Sequence, residues 1–320
     1  MSFSQIPTVN LDLFNSGDPK QKQQFVEDLG QSFSGIGFAI VDNHGISSEL
    51  IERAYKSFKD FFALDDAVKQ KYEIEGLAGQ RGYTSRGKEH AKNSNVGDLK
   101  EFYHIGQIVE GDDPIKEIYP DNVFADEVPD LELAGVELYK RLEAVGAELL
   151  KATAIYLDLE EDYFDAKIKH GNSILRPIHY YGIPNPETLP EGAVRAAEHE
   201  DINLITLLLG ASAEGLQVLN SENEWIEAKP APNQLVINVG DMLQRLTNNH
   251  LKSTTHRVVN PPRERMHLPR YSVPFFLHPR ADMSLNCLES CIDEARPKAY
   301  SDITAGDYLM ERLREIGLLK

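Results

Sequence analysis

At 320 residues and 41% hydrophobic content, the chain can form one large domain or two ordinary ones around a substantial core. A net charge of −18, with no basic tract to offset it, argues against nucleic acid or an anionic membrane as a partner. No charged-then-apolar leader opens the chain, no apolar run reaches transmembrane length, and Cys287 and Cys291 are the only cysteines. A soluble cytoplasmic protein without a zinc or disulfide framework is expected.

The first half reads mainly helical. Asp18-Pro19 is an N-cap followed by proline at the first helical position, and the helix runs to about Phe33. Phe38 to Val41 reads as a strand. A helix follows from about Ser48, with Ile51, Ala54, Phe58, Phe61 and Phe62 on one face. Gln80 to Asn95 is polar and glycine-containing, a candidate mobile loop over a site. The longest helical pattern spans Leu131 to Leu157. Its stripe of Ala134, Leu138, Leu142, Val145, Leu149 and Tyr156 is read as core packing on a sheet.

Near Ile174 the character changes to short apolar runs at Ile174–Tyr181, Asn203–Leu209, Leu216–Leu219, Leu235–Val239, His256–Val259 and Tyr271–Leu277, punctuated by Pro, Asn and Gly. Such strands suggest an antiparallel barrel or sandwich of jelly-roll type. A last helix starts at Thr304-x-x-Asp307 in capping-box style, with Leu309, Leu313 and Ile316 at helical spacing.

Chemistry concentrates in the strand-rich half. His199 and Asp201 form an H-x-D pair just before the apolar run Asn203 to Gly210, and His256 opens its own apolar run downstream. Two imidazoles and one carboxylate make a facial triad that holds non-haem Fe(II) and leaves positions open on the metal. With 10 histidines and 51 acidic residues, an H-x-D pair arises readily by chance, so its weight comes from its place at the mouth of a strand. His250, His267 and His179 compete with His256, which is preferred for its strand-like run and its offset from Arg270. Arg270 and Ser272 stand two apart on a strand-like stretch and share one face, where a guanidinium fork and a hydroxyl suit a carboxylate. Phe276 falls on that face by alternation and would line the pocket.

The ordered series of motifs resembles the isopenicillin N synthase-like family of Fe(II)/2-oxoglutarate-dependent oxygenases over nearly the whole chain. Ile6-Pro7-Thr8-Val9-Asn10-Leu11 and Gly35-Ile36-Gly37-Phe38-Ala39-Ile40-Val41-Asp42-Asn43-His44-Gly45 resemble its opening segment. Arg81-Gly82-Tyr83 and Asp98-Leu99-Lys100-Glu101-Phe102-Tyr103 resemble its middle signatures. Gly215-Leu216-Gln217-Val218, Trp225, Asn238-Val239-Gly240-Asp241, Thr247-Asn248 and Lys252-Ser253-Thr254-Thr255-His256-Arg257-Val258 resemble its oxygenase core.

The resemblance implies an α+β fold, a double-stranded β-helix (jelly-roll) core buttressed by N-terminal helices and a C-terminal helix. Residues 1–170 form a mainly helical region, 171–280 the barrel and 281–320 a helical tail, within one catalytic unit, 1–320. It also implies Fe(II) held by His199, Asp201 and His256, and 2-oxoglutarate held by Arg270 and Ser272. Tyr181 matches a tyrosine that contacts the cosubstrate, although His179 and Gly182 stand where the family often has Asn and Pro. Dioxygen is the third reactant: 2-oxoglutarate is decarboxylated to succinate and CO2, and a small organic substrate is hydroxylated, desaturated or ring-closed. Two other readings stay open: an oxidase of the same fold whose R-x-S pair holds a substrate carboxylate instead, and a ligand-binding barrel without catalysis. Tyr83, Arg86, Lys100, Phe102 and Tyr103 are substrate-contact candidates by position. The motifs encode neither the primary substrate nor the oligomeric state.

Overall fold

The structure, a computed structural model, describes residues 3–77, 79–88, 100–109, 113–183, 185, 187, 194–212 and 214–315. The helices are α1 (Leu11–Asn15), α2 (Pro19–Gly35), α3 (Ser48–Phe62), α4 (Asp66–Lys69), α5 (Pro129–Tyr156), α6 (Asp165–Ile168), α7 (Asp241–Leu246) and α8 (Ala305–Glu315). The caps follow the sequence. Asp18 accepts from the Lys20 N–H at the head of α2, and Ser47 accepts from Leu50 at the head of α3. Thr304 and Asp307 form the expected box on α8, with the Asp307 N–H donating back to Thr304. Ile316 lies outside the described residues.

Fourteen strands are described: β1 (Thr8–Asn10), β2 (Phe38–Asp42), β3 (Gly82–Thr84), β4 (Lys100–Gly106), β5 (Ile174–Leu175), β6 (Ile178–Tyr180), β7 (Ala196–His199), β8 (Ile205–Leu209), β9 (Leu216–Leu219), β10 (Trp225–Glu227), β11 (Leu235–Val239), β12 (His256–Val258), β13 (Arg270–Ser272) and β14 (Pro274–Leu277). They build two sheets. The larger runs β1-β2-β11-β8-β14-β5-β4-β6-β13, with β3 beside β4; the smaller runs β10-β9-β12-β7. All pairings are antiparallel except β1 with β2. This is the jelly-roll core expected from the run of short strands.

The region expected to be mainly helical gives more than buttressing, because β1, β2, β3 and β4 all join the larger sheet. Gly82–Thr84, taken from sequence as loop, is a fully buried strand; residues 89–95 of that expected loop lie outside the described residues. The run Ile174–Tyr181 divides into β5 and β6 at Arg176-Pro177, where proline brings no N–H to a ladder.

Alternation gives the larger sheet two different faces. Ile205, Leu207, Leu209, Ile237, Phe275 and Leu277 face the helices and share a core with Leu131, Leu138, Leu142 and Leu149 of α5. A Cβ on Gly146 would lie 2.3 Å from Leu277, so glycine lets α5 seat directly on β14. Phe38, Ile40 and Val236 point the other way, into a second core with Leu216, Val218 and Val258 of the smaller sheet. Each such side chain stabilises the fold by roughly 1.5–3 kcal/mol.

On the helical face of β4 lies a wholly buried carboxylate, Glu101. It accepts from Lys69 Nζ (2.8 Å), Tyr83 Oη (2.5 Å) and His179 Nδ1 (2.7 Å), tying β3, β4, β6 and α4 together. Burial alone would raise its pKa, but His179, Lys69 and Tyr83 together hold it at about 2. A depressed folded pKa makes this contribution complete above the ordinary value of 4.5 and lost as pH falls toward 2. Glu101→Ala, which strands the buried Lys69, is expected to lower unfolding free energy by about 3–5 kcal/mol in urea titrations at pH 7. The paired change Glu101→Leu with Lys69→Met should cost much less; equal losses in both proteins would refute this account of the ion pair.

Candidate active site

The end of the barrel at His199 carries a group of side chains that could hold a metal ion. Antiparallel pairing of β12 with β7 sets His256 directly opposite His199, and their ring centroids lie 4.3 Å apart. Asp201 lies two residues beyond the end of β7. Its Oδ1 is 3.8 Å from His199 Nε2 and its Oδ2 3.8 Å from His256 Nε2. One ligand atom from each of the three residues falls within 4.8 Å of the others, close enough to share an ion.

Surrounding groups fix how each ligand points. His199 Nδ1 donates to the Ala197 carbonyl (2.7 Å) and His256 Nδ1 to the Thr254 carbonyl (3.1 Å). A carbonyl only accepts, so both Nε2 lone pairs face the common centre. Asp201 Oδ2 accepts from Thr206 Oγ1 (2.6 Å) and Asn238 Nδ2 (2.8 Å), and Asn203 donates to Thr206 behind it. Burial would raise the Asp201 pKa, but His256, His199 and these two donors outweigh it and keep the carboxylate ionised. His199 is favoured as the neutral form, with its pKa lowered to about 4, first by loss of water around the crowded side of its ring and then by the neighbouring His256, although the other side of the ring stays open. A neutral His199 and an ionised Asp201 are the protonation states a divalent metal requires of these two residues. His199 keeps 44% of its side chain open, whereas Asp201 and His256 are buried, so an ion here is approached from the His199 side.

Arg270 and Ser272 lie buried on the inner face of β13, in the larger sheet. Register pairs Arg270 with Tyr180 and Ser272 with Ile178. The guanidinium sits 5.0 Å from the Tyr180 ring and donates Nη2–H to the Ser212 carbonyl. Its Nε and Nη1 are buried with no partner among the described residues. Two unsatisfied donors on a buried cation are costly, and a carboxylate would satisfy them.

The structure parts from the sequence reading at Tyr181. This residue lies beyond β6 on the opposite side, with His179, Glu101 and Arg86 around it. Tyr180 holds the inward position beside Arg270, because residues paired across antiparallel strands share a face. His179 also faces outward, stacked on Tyr271 at 4.7 Å. Among the positional candidates, Lys100 and Phe102 pair with Tyr180 and Ile178 and face inward. Tyr103 is buried in the helix-facing core, and Tyr83 points to Glu101. Phe276 faces inward as alternation predicts, paired with Thr206. Sequence reasoning missed Arg176, whose guanidinium lies 4.7 Å from the Phe102 ring and 5.3 Å from Phe276, with Nε donating to His104 (2.5 Å). It also missed Tyr180, whose inward side is set by the register against Arg270, and Thr206 and Asn238, which strand alternation could have flagged.

Similarity to known proteins covers the same features. Residues 6–127 match the family model of the non-haem dioxygenase in morphine synthesis N-terminal region, and residues 172–279 match that of the 2OG-Fe(II) oxygenase superfamily. A 2-oxoglutarate-Fe(II) type oxidoreductase of Metarhizium rileyi is 32% identical over 97% of this chain and 90% of its own. The chain belongs to the 2OG-Fe(II) oxygenase superfamily. Kihadalactone A synthase of Citrus sinensis is 33% identical over 98% of this chain and 94% of its own. A 2OG-Fe(II) oxygenase family protein from Caulobacter crescentus superposes with a TM-score of 0.88 at 43% identity, covering 98% of this chain and 100% of that one. A full-length Neurospora crassa protein solved with alpha-KG superposes with a TM-score of 0.85 at 30% identity, covering 97% and 95%. It was also solved with alpha-KG and thymine.

This oxygenase is therefore a 2-oxoglutarate-dependent dioxygenase that uses Fe(II), 2-oxoglutarate and dioxygen. Among its described residues, no helix is long and apolar enough to cross a membrane. The supporting hydrogen bonds at Asp201 generate a test. Thr206→Val and Asn238→Ala each remove a donor from the carboxylate and are expected to weaken Mn(II) binding by about 10–100-fold. Calorimetric titration of the metal-free oxygenase reads this directly, and wild-type affinity in both variants would contradict it.

Proposed function

We propose that His199, Asp201 and His256 hold the iron, and that Arg270, Ser272 and Tyr180 hold 2-oxoglutarate beside it. The observation carrying this reading is the pair of donors on buried Arg270 that have no partner among the described residues, on the inner face of the sheet whose Thr206 and Asn238 hold Asp201. When bound, the iron and oxo-acid activate dioxygen for attack on a C–H bond of a small organic substrate. The protein's residues bind and orient. Arg270 forks onto the distal carboxylate, Ser272 adds a hydroxyl, and Tyr180 backs the guanidinium with its ring. Ile178, Phe102 and Phe276 exclude water from the reacting centre.

The wall formed by Arg176, His104, Phe102 and Phe276 supports a small substrate bearing acceptor oxygens on a flat or compact frame. A cation against aromatic faces presents donors in one plane. The thymine-bound Neurospora protein is consistent with a ligand of that kind. We place the chain in the isopenicillin N synthase-like branch by its R-x-S pair and motif order, acting as one catalytic unit. Two free, buried cysteines and the charge balance support a cytoplasmic setting.

Arg270→Lys keeps the charge and loses the fork. It is expected to raise the KM for 2-oxoglutarate by about 10–100-fold, corresponding to one or two charge-assisted hydrogen bonds, and to leave the primary substrate's KM within about twofold. Equal effects on both would mean that Arg270 grips a substrate carboxylate instead. The substrate itself is found by screening small molecules for stimulated 2-oxoglutarate consumption. Product mass should show a gain of one oxygen or a loss of two hydrogens. Failure of the whole panel to stimulate succinate formation would count against an oxygenase acting on compounds of this class.

A further inference from the structure

The cosubstrate anchor is itself held from outside the barrel. Arg270 Nη2 donates to the carbonyl of Ser212, in the short turn Gly210–Ser212 that ends β8. Ser212 is fully buried and pinned on two sides: its Oγ accepts from the Val273 N–H (3.0 Å) and hydrogen-bonds the Tyr55 hydroxyl. Tyr55 belongs to α3, in the helical layer, far from Ser212 in sequence. Burial pushes the phenol up to about 12, so it stays a neutral hydroxyl at any working pH. The flank shared by Tyr55 and Arg270 opens on a cavity of about 730 Å³ that also borders Ile51, Lys59, Arg195 and Tyr271. The iron ligands do not line it.

We propose that Tyr55 is a positioning residue for 2-oxoglutarate: through Ser212 it fixes the turn whose carbonyl orients the Arg270 guanidinium. The inference rests on Arg270 being the oxo-acid anchor. Tyr55 touches neither the iron ligands nor the reacting atoms. Its effect is confined to ligands that carry a distal carboxylate. Losing the phenol leaves the Ser212 hydroxyl with the Val273 N–H as its one side-chain partner among the described residues, and the turn, with its carbonyl, gains freedom that Arg270 must follow.

The test is anaerobic titration of the Fe(II)-loaded protein with 2-oxoglutarate and with pyruvate, which has the chelating end but no carboxylate to reach Arg270. Mn(II) affinity is measured alongside. In Tyr55→Phe, 2-oxoglutarate should bind roughly three- to tenfold more weakly, the effect of one neutral hydrogen bond. Pyruvate and Mn(II) should be unchanged. Ser212→Ala should act in the same direction, and the double variant should lose less than the product of the two single effects, since both cut one chain. Equal weakening of pyruvate, or no weakening of 2-oxoglutarate in either variant, overturns the proposal. Arg270→Lys is the control. If it leaves 2-oxoglutarate unaffected, the anchor itself is misassigned and the proposal falls with it; if it weakens 2-oxoglutarate while Tyr55→Phe and Ser212→Ala do not, only the role of Tyr55 fails.

Discussion

The pairing of β12 with β7 is the constraint on which the site depends. It sets His256 against His199, and two residues beyond β7 the chain brings Asp201 within 3.8 Å of both imidazoles. Three acidic or basic groups this close would normally be unfavourable in a folded interior. Here the arrangement is stable because every atom not aimed at the centre has a partner: two backbone carbonyls for the imidazoles, and Thr206 and Asn238 for the carboxylate. The ladder and these hydrogen bonds fix the geometry before any ion arrives, which is the preorganisation a metal site needs.

The larger sheet separates two kinds of work. Its helix-facing side is a conventional core, closed by α5 and stitched by the Glu101 cluster at the β3, β4 and β6 end. Its inner side is polar where chemistry is needed, at Thr206, Asn238, Ser272 and Arg270, and apolar elsewhere. Neighbouring residues on one strand therefore answer to different demands. Glu101 and Phe102 are adjacent, yet one holds the fold and the other lines the barrel. His179 and Tyr180 divide in the same way. The Tyr55–Ser212 link is a contact by which the helical layer reaches the turn whose carbonyl accepts from Arg270.

Periodicity and capping made the helices readable. Asp18-Pro19, the α3 face and the α5 stripe are local signals, and they appear in the structure within a residue or two of their expected bounds. Strands rich in β-branched residues between turn residues were legible too. Short or polar strands, such as Ala196–His199 and Lys100–Gly106, were not, because their stability comes from neighbours distant in sequence rather than from their own composition.

The sequence by itself determined which side chains were available for chemistry: an H-x-D pair, a later histidine and an R-x-S pair, in an order that few folds share. Tertiary structure decided parity and partnership. Alternation says that Tyr180 and Tyr181 face opposite ways, but only the register against Arg270 says which one faces in, since a shift of one residue exchanges them. Likewise nothing near Tyr55 or Glu101 in the chain announces their partners, because hydrogen bonds between groups far apart along the backbone exist only once the strands and helices have packed.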